Sequence, residues 1–132
     1  MAAAPASFAY DAAGNRTSMT DGVGSATYAY NQLSQMTSET RVFTGVGSYT
    51  LNYQYNVSGK LMSVTDAFNA QVGYTYDSAG RVAGITGSGF ANVSTYASGF
   101  QYRAWGAVKR VQLRKRRYGR NEFQLATSGN AL

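Results

Sequence analysis

Cysteine and histidine are both missing from the 132 residues. Their absence excludes disulfides, thiol nucleophiles, the usual Cys/His zinc sites and a histidine general base. An enzyme built on this chain would lack the commonest catalytic side chains, so no catalysis, no metal and no cofactor are expected. Proline occurs once, at Pro5. No apolar stretch reaches the length that a bilayer requires, so no membrane span is expected. The opening Met-Ala-Ala-Ala-Pro-Ala-Ser has neither a charged n-region nor the apolar run of a secretory signal. The chain as written is therefore expected in the cytoplasm.

What is present is aromatic and flexible: eleven Tyr, six Phe, one Trp and fifteen Gly. That mixture favours short extended segments joined by tight turns and disfavours helix. The formal charge of +6 is an uneven average. Residues 1–102 carry four basic and five acidic side chains, whereas 103–132 carry eight basic and one acidic. The body is near neutral and the end is strongly basic.

One phrase returns five times. It reads Phe8-Ala9-Tyr10-Asp11-Ala12-Ala13-Gly14-Asn15-Arg16, then Tyr28-Ala29-Tyr30-Asn31, then Tyr53-Gln54-Tyr55-Asn56-Val57-Ser58-Gly59-Lys60-Leu61. It continues as Tyr74-Thr75-Tyr76-Asp77-Ser78-Ala79-Gly80-Arg81-Val82 and Phe100-Gln101-Tyr102-Arg103-Ala104-Trp105-Gly106. The second aromatic steps through 10, 30, 55, 76 and 102, at intervals of 20, 25, 21 and 26. Short and long spacings alternate, the mark of a true internal repeat.

Each part of the phrase has a physical job. Aromatics at i and i+2 share one face of a strand, because strand side chains alternate. A ring buried on that face contributes roughly 1.5–3 kcal/mol. Asp or Asn follows, with Gly three residues on, which fits a type I turn with Asp/Asn at its first position and Gly at its fourth. The residues after the Gly read as a returning strand, with Arg81 at its exposed start. Gly-containing links at Asp21–Ser25, Thr44–Ser48 and Thr86–Gly89 send the chain into the next tyrosine strand.

The fold predicted is all-β, a meander of about ten short antiparallel strands forming a curved open sheet. Residues 1–7 read as a disordered N-terminal segment, 8–111 as the hairpin repeats, and 112–132 as a basic, disordered or out-of-frame tail. Two turns depart from the pattern. Asn31-Gln32-Leu33-Ser34 lacks the Gly, and Arg103 replaces the acidic or amide residue of the fifth turn, so both are expected to be differently shaped or degenerate.

The stretch Tyr76-Asp77-Ser78-Ala79-Gly80-Arg81-Val82, with Thr86 five residues beyond Arg81, resembles the YD repeat, Tyr-Asp-x-x-Gly-Arg-Leu with a later Thr. Tyr55 to Leu61 with Thr65, and Tyr10 to Arg16, resemble it nearly as closely, and the resemblance runs from about Phe8 to Val111. The family includes bacterial RHS proteins, wall-associated proteins, teneurins and the shells of insecticidal toxin complexes. The resemblance implies a strip of the wall of a hollow cocoon that encloses a C-terminal toxin, in a secreted or cell-surface protein. Its partners would be the remaining repeats of the parent shell and the enclosed toxin. The signature residues would be structural: Tyr10, Asp11, Gly14, Arg16, Tyr30, Asn31, Tyr53, Tyr55, Asn56, Gly59, Lys60, Tyr74, Tyr76, Asp77, Gly80, Arg81, Tyr102 and Gly106. No closing region and no recognisable toxin follow, so the chain reads as a piece. Unpaired edges then predict marginal folding or self-association.

Other residues offer alternative sites. Asp11 and Asp77 stand where a turn Asp bonds the backbone, which argues against an acid–base pair with Asp66. Tyrosine rings and Trp105 beside the fifth turn could stack on sugars, so a carbohydrate or cell-surface binding module is the leading alternative, with glycans as partners. The run Lys109 to Arg120 makes nucleic-acid binding a second alternative. From Leu113 the tail could also be out of frame, since CTACGGAAACGGCGTTAC encodes Leu-Arg-Lys-Arg-Arg-Tyr and, one base over, Tyr-Gly-Asn-Gly-Val.

Overall fold

A computed structural model describes residues 4–90, 93–117 and 120–127, with side chains described through Arg114. Eleven strands form, β1(Ser7–Tyr10), β2(Arg16–Asp21), β3(Gly24–Tyr30), β4(Met36–Phe43), β5(Gly47–Tyr55), β6(Leu61–Thr65), β7(Gln71–Tyr76), β8(Val82–Ser88), β9(Thr95–Tyr102), β10(Val108–Arg117) and β11(Arg120–Thr127). Among the described residues there is no helix. The chain divides into two units, Met1–Asn69 with β1 to β6 and Ala70–Leu132 with β7 to β11. Within each, strands pair antiparallel with their sequence neighbours. This is the all-β meander that the repeat predicts.

The basic end differs from the reading above. β10 runs through Arg117, and β11 pairs with it from Arg110↔Thr127 to Arg117↔Arg120. The described backbone therefore continues the meander past Val111, where an unstructured tail was expected. Residues 1–3, 118–119 and 128–132 of the expected flexible ends lie outside the described residues.

Residues opposite one another in an antiparallel pair project to the same face. In the first unit one row across five strands reads Phe8, Met19, Ala26, Arg41, Tyr49, and the next reads Tyr28, Glu39, Leu51. Rows on the opposite face read Ala9, Ser18, Thr27, Thr40, Thr50 and Ser7, Thr20, Ser25, Val42, Ser48. One face is aromatic and charged; the other carries small hydroxyl side chains and no charge in these rows. The hydroxyls pair with each other where they meet, as in Thr40 Oγ1 to Thr50 Oγ1 at 2.8 Å. The second unit repeats the division, with Tyr74, Ile85, Ala97 and Leu113 in one row and Gly73, Thr86 and Thr95 in another.

Within each unit burial follows from its single layer. Among the described residues only Ala26, Ala70, Ala97 and Ser63 are buried, and no large side chain is fully enclosed. Small residues reach that state flanked by larger row neighbours, Ala26 by Met19 and Arg41 and Ala97 by Ile85 and Leu113, whereas enclosing a Tyr or Leu requires a second layer. Apolar residues at the turns stay out in solvent, including Leu33, Val57, Phe68 and Trp105.

Candidate functional site: the joints between repeats

The repeat phrase builds one turn five times. At the first, Gly14 N–H donates to the Asp11 carbonyl at 3.0 Å and Asp11 N–H to the Asn15 carbonyl at 2.9 Å. Asp11 Oδ1 accepts the N–H groups of Ala13 and Asn15 at 2.9 and 2.8 Å. Asn56 does the same for Ser58 and Lys60 at 3.0 and 2.9 Å, and Asp77 for Ala79 and Arg81 at 2.9 Å each. The fourth position needs positive φ, which Gly14, Gly59 and Gly80 supply at 85°, 78° and 76°.

The two departing turns keep this shape. Ser34 adopts φ 58°, and its N–H reaches the Asn31 carbonyl at 3.0 Å. Asn31 Oδ1 still accepts from Leu33 and Gln35, at 2.9 and 3.0 Å. Arg103 keeps both backbone bonds, Gly106 N–H to its carbonyl at 2.9 Å and its own N–H to the Ala107 carbonyl at 2.8 Å, with no side-chain acceptor. The expectation of a different loop is thus corrected: the flanking strands and two backbone bonds suffice to impose the turn. A sixth turn of the kind follows β6, where Asp66 Oδ1 accepts Phe68 N–H at 2.8 Å and Asn69 takes φ 63°. Its signal, Asp with Asn three residues on, is readable because Asn tolerates the left-handed region.

After every repeat turn the returning strand carries one extra residue. The pairings Tyr10↔Arg16 and Ala9↔Ser18 leave Thr17 over, and Thr37, Met62, Ala83 and Lys109 occupy the matching places. A bulge of this kind interrupts the ladder and re-aims the backbone. The carbonyl just before it becomes the socket for the next repeat. Tyr30 Oη donates to the Arg16 carbonyl at 2.9 Å, Tyr55 Oη to that of Met36 at 2.8 Å, and Tyr102 Oη to that of Val82. In each case the second tyrosine of one repeat is bonded to the return strand of the repeat before it.

The turns are joined too. Asn15 Nδ2 donates to Ser34 Oγ at 3.1 Å, and Gln35 Nε2 to the Gly59 carbonyl at 2.8 Å. Both donors stand one place after the positive-φ residue, and both acceptors are the positive-φ residue of the next turn. Arginines brace the rings instead of facing plain solvent. Arg16 lies 4.7 Å from the Tyr28 ring centre, and Arg81 lies 4.3 Å from that of Tyr102 while its Nε bonds Asp77 at 2.9 Å.

Electrostatics follows these contacts. The Asn15 side chain and backbone hold the Asp11 carboxyl below its ordinary value. Arg81, first through its N–H and then through its guanidinium, does the same for Asp77. Arg41, 2.7 Å from Asp21, depresses that carboxyl. Tyr53 donates to Glu39 at 2.9 Å, and burial followed by that bond pushes its phenol up to about 12. Tyr102 is also raised, by burial and then by the Asp77 charge.

Several of the signature residues are therefore brought together at joints between hairpins. Tyr30, Tyr55, Tyr102 and Gly59 sit in them, while Asp11, Asn31, Asn56 and Asp77 shape the turns alongside. Tyr74 lies in the aromatic row opposite Ile85, and Tyr76 opposite Val82. Trp105 stands apart at the tip of the β9–β10 turn, 76% exposed. Sequence reasoning missed Gln35, Asn15 as a donor, Glu39 and the carbonyls of Arg16, Met36 and Val82. Gln35 and Asn15 share a position in the phrase, which was the available signal; the carbonyls leave none.

Comparison with curated proteins finds no match. Among solved structures, the fold is similar to a chain in the crystal structure of TcdB2-TccC3-Cdc42, with a TM-score of 0.71 over 84% of this chain at 17% identity. This chain spans only 6% of the length of that one. The family model described as RHS Repeat matches residues 10–45 and 55–89. Those matches take in the first four turns and the Tyr30 and Tyr55 joints, over more than half of the residues, and the chain belongs to the RHS repeat family.

Proposed function

We propose that this chain is a non-catalytic structural segment of an RHS/YD-repeat shell that, in the full-length protein, encloses a C-terminal toxin and acts outside the producing cell. The observation that carries the reading is the sequential joint. Tyr30, Tyr55 and Tyr102 each tie one hairpin to the one before it, and the second repeat is both fastened, through Tyr30, and fastening, through the Met36 carbonyl. A wall must do this over a long distance with local contacts only, as repeat architectures do. The uncharged hydroxyl face suits a wall that encloses another polypeptide without gripping it.

The test begins with the reading frames that flank this segment. Expressed together with them, the polypeptide downstream of the repeats should resist protease while the repeats are intact and become sensitive when the segment is deleted. A downstream polypeptide digested equally fast in both cases, or flanking frames with no further repeats, would overturn the proposal.

A further inference from the structure

We infer that β10 presents a track for single-stranded nucleic acid, formed by Arg110, Gln112 and Arg114 and headed by the exposed ring of Trp105. The inference goes beyond the shell-segment reading and does not rest on it.

The strand sorts the run of cations. Leu113 pairs with Ala97 in the aromatic row, so Gln112, opposite Ser98, lies on the other face. Arg110 and Arg114 stand two residues to either side of Gln112 and share that face, because strand side chains alternate. Successive members of the row are thus about 6.6–6.8 Å apart. In the first unit the face opposite the aromatic rows carries hydroxyls and no charge in its rows. On β10 it is cationic.

No counter-charge is built into the row. Arg110 pairs with Gln101 and Thr127, Gln112 with Ser98 and Leu125, and Arg114 with Phe123. Glu122, the one acidic side chain between residues 103 and 132, is opposite Lys115 and so falls in the alternate register. Among the described residues the ion pairs are Arg41 with Asp21 and Arg81 with Asp77, and neither Arg110 nor Arg114 has one. Cations repeated along one face repel each other until an anion of several charges lies along them.

The surroundings narrow the class of anion. Gln101, Ser98 and Gln112 place neutral hydrogen-bonding groups beside the arginines, and Gln112 lies over Gly99, where a Cβ would come within 3.3 Å of its amide. Guanidinium groups suit phosphate oxygens, which they can grip through two bonds at once. Trp105 adds an exposed flat ring in the turn that leads into β10. A base stacks on such a ring only when it is free of a duplex, whereas an acidic peptide brings carboxylates and no base. A cationic track with an open aromatic ring is the combination that holds single strands. Roughly 30 Å of extended chain separates Trp105 from Arg114, enough for several nucleotides.

Fluorescence anisotropy of a labelled oligothymidine, titrated with the full chain between about 50 and 200 mM salt, tests this. Binding should weaken steeply as salt rises. Arg110→Gln with Arg114→Gln should lower the slope of log affinity against log salt by about 0.7 for each arginine removed. Arg110→Lys with Arg114→Lys keeps both charges and should keep the slope. Trp105→Ala should weaken binding by about fivefold or more at every salt concentration and leave the slope unchanged. The inference is overturned if the chain, folded by circular dichroism, does not bind the oligomer at the low end of the salt range. It also falls if the glutamine pair leaves the slope unchanged, if the lysine pair loses the slope as the glutamine pair does, or if Trp105→Ala has no effect. Polyglutamate displacing the oligomer at equal charge concentration would make the row a seat for acidic polypeptide instead, and a duplex bound as tightly as the single strand would remove the role given to Trp105.

Discussion

A tyrosine in this chain does two jobs with one side chain. Its ring lies along the aromatic face of its own hairpin, and its hydroxyl reaches a backbone carbonyl in the preceding one. Removing the hydroxyl alone separates the two. Tyr30→Phe and Tyr55→Phe should each cost about 1 kcal/mol, the usual net value of a hydrogen bond, read as a lower urea midpoint with unchanged slope. Tyr10→Phe in the chain as it stands should be neutral. Protonation provides a second residue-level test. Because Arg81 holds the Asp77 carboxyl below its ordinary value of 3.8, the stabilisation is fully present above that value and is lost as pH falls through the depressed one. Asp77→Asn should flatten the acid limb of the stability profile below pH 3.8 and lower neutral stability modestly, since an amide keeps the two turn bonds, as Asn56 does, but gives up the ion pair with Arg81.

At the level of turns and strands, the fifth turn shows what the acidic residue adds. Its backbone bonds are in place, but the N–H groups of Trp105 and Ala107 have no side-chain acceptor from Arg103. Arg103→Asp should supply one and raise stability by about 1 kcal/mol, measured by thermal or urea unfolding. Much of this level was legible. The Tyr-x-Tyr period and the Asp-to-Gly spacing marked strands and turns correctly because both depend on local physics. Ser34 misled because a left-handed serine costs about 1–2 kcal/mol, a cost offset here by pairing on either side that no single turn reveals. The bulges were invisible for another reason. An extra residue such as Thr17 or Ala83 carries no distinctive side chain, and only the register of two strands exposes it.

At the scale of the whole molecule, each of its two units is a layer without a cover, and the small buried set among the described residues, Ala26, Ala70, Ala97 and Ser63, says so. Alone in solution it should melt broadly, at a midpoint that shifts with concentration, and sedimentation should show association rising over the micromolar range. A sharp, concentration-independent melt of a monomer would count against a wall segment. The sequence resemblance reached this level as well, through repetition. It stopped at Val111 because the run Lys109 to Arg117 reads as a solvated end, although β10 and β11 pair through it. Repetition also has a genetic consequence. Since Tyr30, Tyr55 and Tyr102 plug matching carbonyl sockets, duplication of a whole hairpin of this kind should leave its seams matched. Inserting one codon within β3 does the reverse, sending Tyr28 to the wrong side and opening two seams at once.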